Sequence, residues 1–259
     1  MRAWLALAAV LAGPLAARGA PTPAPFSDWA AVVVAGDDHA AHTESMTETF
    51  DNARRDVTGA LARGGFAPAH IAQFSTRPER YRAAHPGNAD LAPIAARLTS
   101  LARAATGGCL VYITSHGAPE GVVMDGRLVS PRALADAVGA ACGARPTAVI
   151  VSACFSGVFV PALAGPNRMV FTAARSDRSS FGCGESDKYP FFDACVLASF
   201  PFARDLIDLA PRVRRCVARH EDDVGARPRS QPQLFVGAAF RATSPAFAAP
   251  RLAAFPAKP

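Results

Sequence analysis

Residues 147–157 read TAVIVSACFSG: a β-branched run from Thr147 to Val151 that passes through Ser152 and Ala153 to Cys154, then to Phe155, Ser156 and Gly157. A continuous run of this kind, with no polar alternation, fits a strand buried on both faces. Two other stretches have the same character. Trp29 to Ala35 (WAAVVVA) ends at Gly36, and Cys109 to Thr114 (CLVYIT) ends at Ser115, His116 and Gly117. Weaker strand signals lie at Ala69 to Phe74, Met169 to Ala173 and Leu234 to Val236.

Helical periodicity fills the gaps between these strands. Ser45 and Glu48 have the spacing of a capping box, ahead of Phe50, Ala53, Val57 and Leu61 on one helical face, and Gly64-Gly65 closes the segment. The polar stretch from Thr76 to Asn88 reads as a loop, and Leu91, Ile94, Leu98 and Leu101 mark a second helix. Gly121 to Val129 reads as a hairpin turning at Asp125-Gly126. Ser130-Pro131 then opens a helix that runs to Cys142 and stops at Gly143. Further helices are expected at Phe191–Phe200 and Ala203–Arg219, the latter bent or restarted near Pro211. Strands alternating with helices predict an α/β fold: a mostly parallel sheet with helices on both faces. No linker divides the chain, so residues 20–259 are expected to form one domain, with an Ala/Pro-rich tail from about residue 242 that packs loosely.

Composition narrows the functional classes. The chain has 259 residues, half of them hydrophobic, and a formal charge of +6. Its basic residues are scattered with no run of five, which argues against nucleic acid as a partner. Arg2, the apolar run from Ala3 to Ala12 and the small residues from Ala16 to Ala20 have the form of a signal peptide, with cleavage after Gly19. That run is too short to span a bilayer, and no later segment reaches spanning length without a charge. The expected product is an exported protein, periplasmic or secreted. Nothing in the sequence fixes its oligomeric state.

Six cysteines occur, at 109, 142, 154, 183, 195 and 216, with irregular spacing and no CxxC pair. A metal site is therefore not expected. Cys109 and Cys142, in apolar surroundings, are expected as buried thiols. If one cysteine is reserved for chemistry, five remain, and at least one more must be unpaired.

Ligands of parallel sheets bind at the carboxyl ends of strands. Two of the strongest strands here end in reactive side chains, His116 and Cys154. A thiolate attacks carbonyl carbon effectively, and an imidazole can take and return the proton. The backbone N–H groups of Gly117 and Cys154 can receive the oxyanion that develops.

Thr114-Ser115-His116-Gly117 and Ser152-Ala153-Cys154-Phe155-Ser156-Gly157 resemble the paired motifs of the legumain-type cysteine peptidases, of the caspase-like clan, in a bacterial-type member. Val32-Val33-Val34-Ala35-Gly36, Thr172-Ala173-Ala174 and Ser179-Ser180-Phe181-Gly182-Cys183 extend the resemblance over residues 29–200. It implies a caspase-like three-layer sandwich, a Cys/His dyad, no cofactor, and cleavage of peptide or protein substrates after one preferred side chain. An amidase or transpeptidase with the same dyad, and a catalytically inactive binding protein, share that fold. By the resemblance, Ser152, Ser179, Ser180, Asp193 and Glu48 occupy substrate-binding positions. Ser152 replaces an acidic residue, and Glu48-Thr49 replaces an arginine–histidine pair. Glu48 and Asp193 together could favour a basic side chain, against the alternative that Glu48 serves its capping box and Asp193 opens a helix; Asp37 or Asp38 could orient His116, against the alternative of solvated loop acids.

Overall fold

Residues 25–248, except 42 and 44, are described by a computed structural model. The signal-peptide reading and the tail from 249 fall outside the described residues. Ten strands occur in the order β1 (Trp29–Ala35), β2 (Ile71–Ser75), β3 (Gly87–Asn88), β4 (Gly108–Thr114), β5 (Gly117–Ala118), β6 (Gly121–Met124), β7 (Arg127–Val129), β8 (Thr147–Ser152), β9 (Arg168–Thr172) and β10 (Gln233–Val236). Between and after them lie α1 (Thr49–Arg63), α2 (Leu91–Ala104), α3 (Pro131–Cys142), α4 (Phe159–Leu163), α5 (Phe191–Ser199), α6 (Leu206–Asp223) and α7 (Ala238–Thr243).

Alternation along β1 divides the core in two. Ala30, Val32 and Val34 pack with Ile94 and Leu98 of α2, Leu134 and Val138 of α3, and Phe159 of α4. Trp29, Ala31 and Val33 pack with Val57 and Leu61 of α1, Phe192 and Val196 of α5, and Leu209 and Val213 of α6. All seven residues of β1 are buried, as are all seven of β4 and all six of β8. Because neither face meets water, these strands carry no polar alternation. The result is the expected sandwich of helices on both faces of one sheet.

The sheet runs β3-β2-β1-β4-β8-β9-β10, parallel throughout except for β10, which is antiparallel to β9. From β1 the chain winds outward to β2 and β3. It then returns to β4, on the other side of β1, and winds outward through β8 and β9. The switch between β1 and β4 opens a crevice at their carboxyl ends, where ligands bind in sheets of this kind. The small sheet β5-β6-β7 sits beside this crevice, with Val123 N–H donating to the His116 carbonyl and Asp125 N–H to the Gly36 carbonyl. Asp125 and Gly126 both have positive φ (51° and 72°), as a two-residue hairpin turn of the expected kind requires.

Several boundaries differ from the expectation. The capping box does not form. Helix α1 starts at Thr49, whose N–H is taken by the Thr47 hydroxyl (3.2 Å), and Glu48 makes no side-chain cap bond because arginines and a tyrosine occupy its carboxylate. The loop from Thr76 to Asn88 holds a short 3₁₀ segment, Pro78–Ala84, and the edge strand β3. Helix α6 runs through Pro211 and is capped by Asp205, which accepts from Asp208 N–H at 2.7 Å. Residues 244–248 are docked rather than loose: Phe247 stacks on Phe26 and Phe200, and the N–H groups of Phe247 and Ala248 bond to the carbonyls of Arg204 and Gly64.

The cysteine reading changes most. Cys109 and Cys142 are not free thiols but a disulfide that ties β4 to the end of α3, and Cys195–Cys216 ties α5 to α6. Spacing alone could not reveal either bond, because each pair meets only through the packing of helix on sheet or helix on helix. Cys154 and Cys183 remain free. Among the described residues no helix is long and apolar enough to cross a membrane.

Candidate active site

Strand β8 ends at Ser152, and the chain turns sharply to present Cys154. Phe155 adopts left-handed backbone angles (φ 56°, ψ 10°), an uncommon conformation for a bulky residue that reflects a tightly determined turn. Its N–H donates to the Arg178 carbonyl (2.8 Å) and its carbonyl accepts from Val158 N–H. Gly157 passes so close to residues 174–176 that an added Cβ would lie 2.4 Å from Ser176 N. The buried Ser156 hydroxyl accepts from Ala174 N–H at 3.1 Å. The Cys-Phe-Ser-Gly sequence is thus the set of residues this turn needs, with Cys154 half-exposed at its tip.

Strand β4 delivers His116 to the neighbouring position. The His116 Nε2 lies 2.9 Å from the His39 backbone carbonyl. A carbonyl only accepts, so Nε2 carries the proton and Nδ1 keeps a lone pair for proton transfer. The ring is also held edge-on against the buried Phe50 of α1, with centroids 5.0 Å apart and planes at 81°. The expectation that Asp37 or Asp38 orients His116 is corrected. Their carboxylates sit 3.0 and 3.2 Å from Nδ1 of His39, and it is the His39 main chain that meets His116. A backbone carbonyl leaves no side-chain signature, so sequence reasoning could not single out this contact.

His116 and Cys154 line one cleft of about 620 Å³, together with Gly117, Ala40 and Ala41, and the segment from Ser179 to Gly184. Ser180 touches Cys154 itself: its N–H donates to Cys154 Sγ (3.2 Å) and its carbonyl accepts from the thiol (3.5 Å). Ser179 lines the same wall. Both serines thus lie beside Cys154 in the cleft. Gly117 lies against the Cys154 main chain, where an added Cβ would come within 2.3 Å of the Cys154 carbonyl oxygen.

The second free thiol, Cys183, shares this cleft. Burial pushes it up to about 12, with further contributions from the charges of Cys154 and Asp187. It is held as the thiol at neutral pH, the less nucleophilic form of a cysteine. Among the described lining residues, Asp187 is the carboxylate of the cleft; it accepts from Gly184 N–H at 2.7 Å.

Three expected substrate contacts lie elsewhere. The Glu48 carboxylate is taken by Arg80 (3.0 Å), Arg77 (3.4 Å) and the Tyr81 hydroxyl, away from the cleft lining. Asp193 is 0% exposed, its carboxylate bonded by Tyr112, Thr114 and Ser152. Ser152 is 2% exposed and points its hydroxyl at Asp193. The basic-side-chain pocket expected from Glu48 and Asp193 does not form, because each acid is already satisfied by partners within the fold.

The sequence matches the Peptidase C13 family over residues 76–200, a span that contains both His116 and Cys154. A comparison with curated proteins finds no match. Among solved structures, caspase-1 from Spodoptera frugiperda matches with a TM-score of 0.60 and 14% identity, over 88% of this chain and 94% of that one. At that identity the likeness speaks for the fold.

Proposed function

We propose that this chain, which matches the Peptidase C13 family over residues 76–200 and shares the caspase fold, is an exported endopeptidase that hydrolyses peptide bonds through Cys154 and His116. The observation that carries this reading is the meeting of both side chains in one cleft, with His116 Nε2 tied to a carbonyl and Nδ1 left to take a proton. His116 Nδ1 accepts the Cys154 proton, and Sγ attacks the scissile carbonyl carbon. The C–N bond then breaks as His116 returns the proton to the leaving amine, leaving an acyl group on Cys154. A water molecule, deprotonated by His116, hydrolyses that thioester and restores the thiol.

The N–H groups of Gly117 and Cys154 are the proposed oxyanion donors. No backbone acceptor takes the Cys154 N–H among the described residues. Gly117→Ala would drive a methyl group against the Cys154 carbonyl. It is expected to lower kcat by about 10²-fold, the size of effect that follows loss of an oxyanion donor, and to lower the thermal midpoint as well, because the clash is with main chain. An unchanged kcat would remove Gly117 from this role.

Two buried disulfides favour an oxidising compartment and so support export. The direct test of the activity is to react the native protein with a peptide bearing a thiol-directed electrophile, map the labelled cysteine, and profile cleavage of a peptide library. Labelling at Cys154 with cleavage at internal bonds is expected. Cleavage of small amides but not peptides would favour an amidase, and a Cys154 that neither labels nor cleaves would favour a binding protein.

A further inference from the structure

Asp193 is a buried acid outside the cleft, and its three partners lie on the two strands that deliver the dyad. Oδ2 accepts from the Thr114 hydroxyl of β4 and the Ser152 hydroxyl of β8, both at 2.8 Å, while Oδ1 accepts from the Tyr112 hydroxyl of β4. Thr114 and Ser152 are cross-strand partners in the ladder. Each stands two residues before a member of the dyad, His116 or Cys154. One further main-chain bond, Ser115 N–H to the Ser152 carbonyl at 3.0 Å, closes the ladder beyond them. After that the strands part, β4 toward the small sheet and β8 into the Cys154 turn.

We propose that Asp193 is a positioning residue, a carboxylate clamp that fixes the separation of the strand ends carrying His116 and Cys154 and thereby sets turnover without touching substrate. This inference rests on the Cys154/His116 reading. A single ionised carboxylate can accept all three hydroxyl donors. Once protonated it carries a hydrogen of its own on one oxygen, so one of the three hydroxyl bonds must reverse or break and the clamp slackens.

Burial pushes the Asp193 carboxyl up to about 6, opposed by the hydrogen bonds from Tyr112, Ser152 and Thr114. The clamp therefore switches within a pH range where activity is measurable. Tyr112 is the titratable group that faces it from β4. On α1, Asp51 pairs with Arg54 and Arg55 with Asp56; on α6, Asp208 pairs with Arg212, Glu221 accepts from Ser230 N–H and His220 meets Phe191. Because the folded-state value lies above the ordinary 3.8, the group's contribution to stability is complete below about 4 and is lost as pH rises through 6. The ionised clamp thus costs stability, as strained or charged functional groups do.

The test compares the native chain with Asp193→Asn and Ser152→Ala, reading peptide turnover, the rate of Cys154 alkylation by iodoacetamide, and the thermal midpoint across pH 5–8. Asp193→Asn is expected to lower kcat roughly 10- to 100-fold, the penalty for a misplaced catalytic pair, with KM within twofold. It should also remove one ionisation from the acid limb and abolish the fall in thermal midpoint through pH 6. Ser152→Ala takes away one donor that lowers the Asp193 value, so its acid limb should move to higher pH, with a smaller loss of kcat. If Asp193→Asn raises KM and spares kcat, the residue binds substrate and the clamp is wrong. An unchanged kcat and acid limb in both variants also overturns it. If the native chain alkylates at Cys154 but cleaves no peptide, the peptidase reading fails by itself, and the alkylation profiles of the variants still decide the clamp.

Discussion

Cys154→Ala is expected to lower peptide turnover by about 10⁴-fold or more while leaving the thermal midpoint within a few degrees of the parent. The side chain removed is half-exposed at the tip of a turn, so little packing is lost. Its hydrogen bonds are to the N–H, carbonyl and hydroxyl of Ser180, and the turn is held independently by Phe155, Ser156 and Gly157. The fold should therefore survive as the activity goes. His116→Ala is expected to cost nearly as much, because His116 is the one imidazole among the described residues that line the cleft. The double variant should be no worse than Cys154→Ala alone, since residues that act as one unit are not additive. Cys183 lies in the same cleft but is held as a thiol, so it is not expected to substitute. Substantial turnover in Cys154→Ala, measured on the same peptides with mass-spectrometric detection, would reject the mechanism.

The second large effect concerns the two disulfides. Cys109–Cys142 closes a loop of 33 residues and Cys195–Cys216 one of 21. Loop-closure entropy assigns each about 3–4 kcal/mol. Total stability for a domain of this kind is typically about 5–15 kcal/mol, so losing both removes a large share of it. Replacing one pair by alanine is expected to lower the thermal midpoint by roughly 6–16 °C, at about 2–4 °C per kcal/mol for a chain of this size. Losing Cys195–Cys216 should also slow turnover, because α5 carries Asp193. Calorimetry with and without reductant checks both statements. A midpoint unmoved by full reduction, with the free thiols counted, would show that packing alone supports the fold.

Much of the fold was legible because buried parallel strands announce themselves. Trp29–Ala35 was read to the residue, and α3 was located from Ser130, Pro131 and Gly143, whose cap bond from Ala133 N–H to Ser130 Oγ is present at 3.2 Å. These features are local: a strand buried on both faces needs only apolar residues, and a helix start needs only its cap. The start of α1 was misplaced because a capping box is also local, yet here distant charges overruled it. Arg77 and Arg80, 29 and 32 residues away, claim the Glu48 carboxylate.

The strand ends His116-Gly117 and Cys154 are identifiable from the sequence alone, since their position depends only on where an apolar run stops. The chain by itself also determined the α/β layering, through strand and helix periodicities that alternate along it. Tertiary structure decided everything that depends on two distant segments meeting. It placed the His39 carbonyl on His116, joined Cys109 to Cys142 and Cys195 to Cys216, and turned Asp193 inward to three hydroxyls instead of toward a substrate. The physical reason is the same in each case. A backbone carbonyl, a thiol or a buried carboxylate takes its role from the partner it finds, and the partner is brought by the packing of helices on the sheet, not by neighbours in the chain.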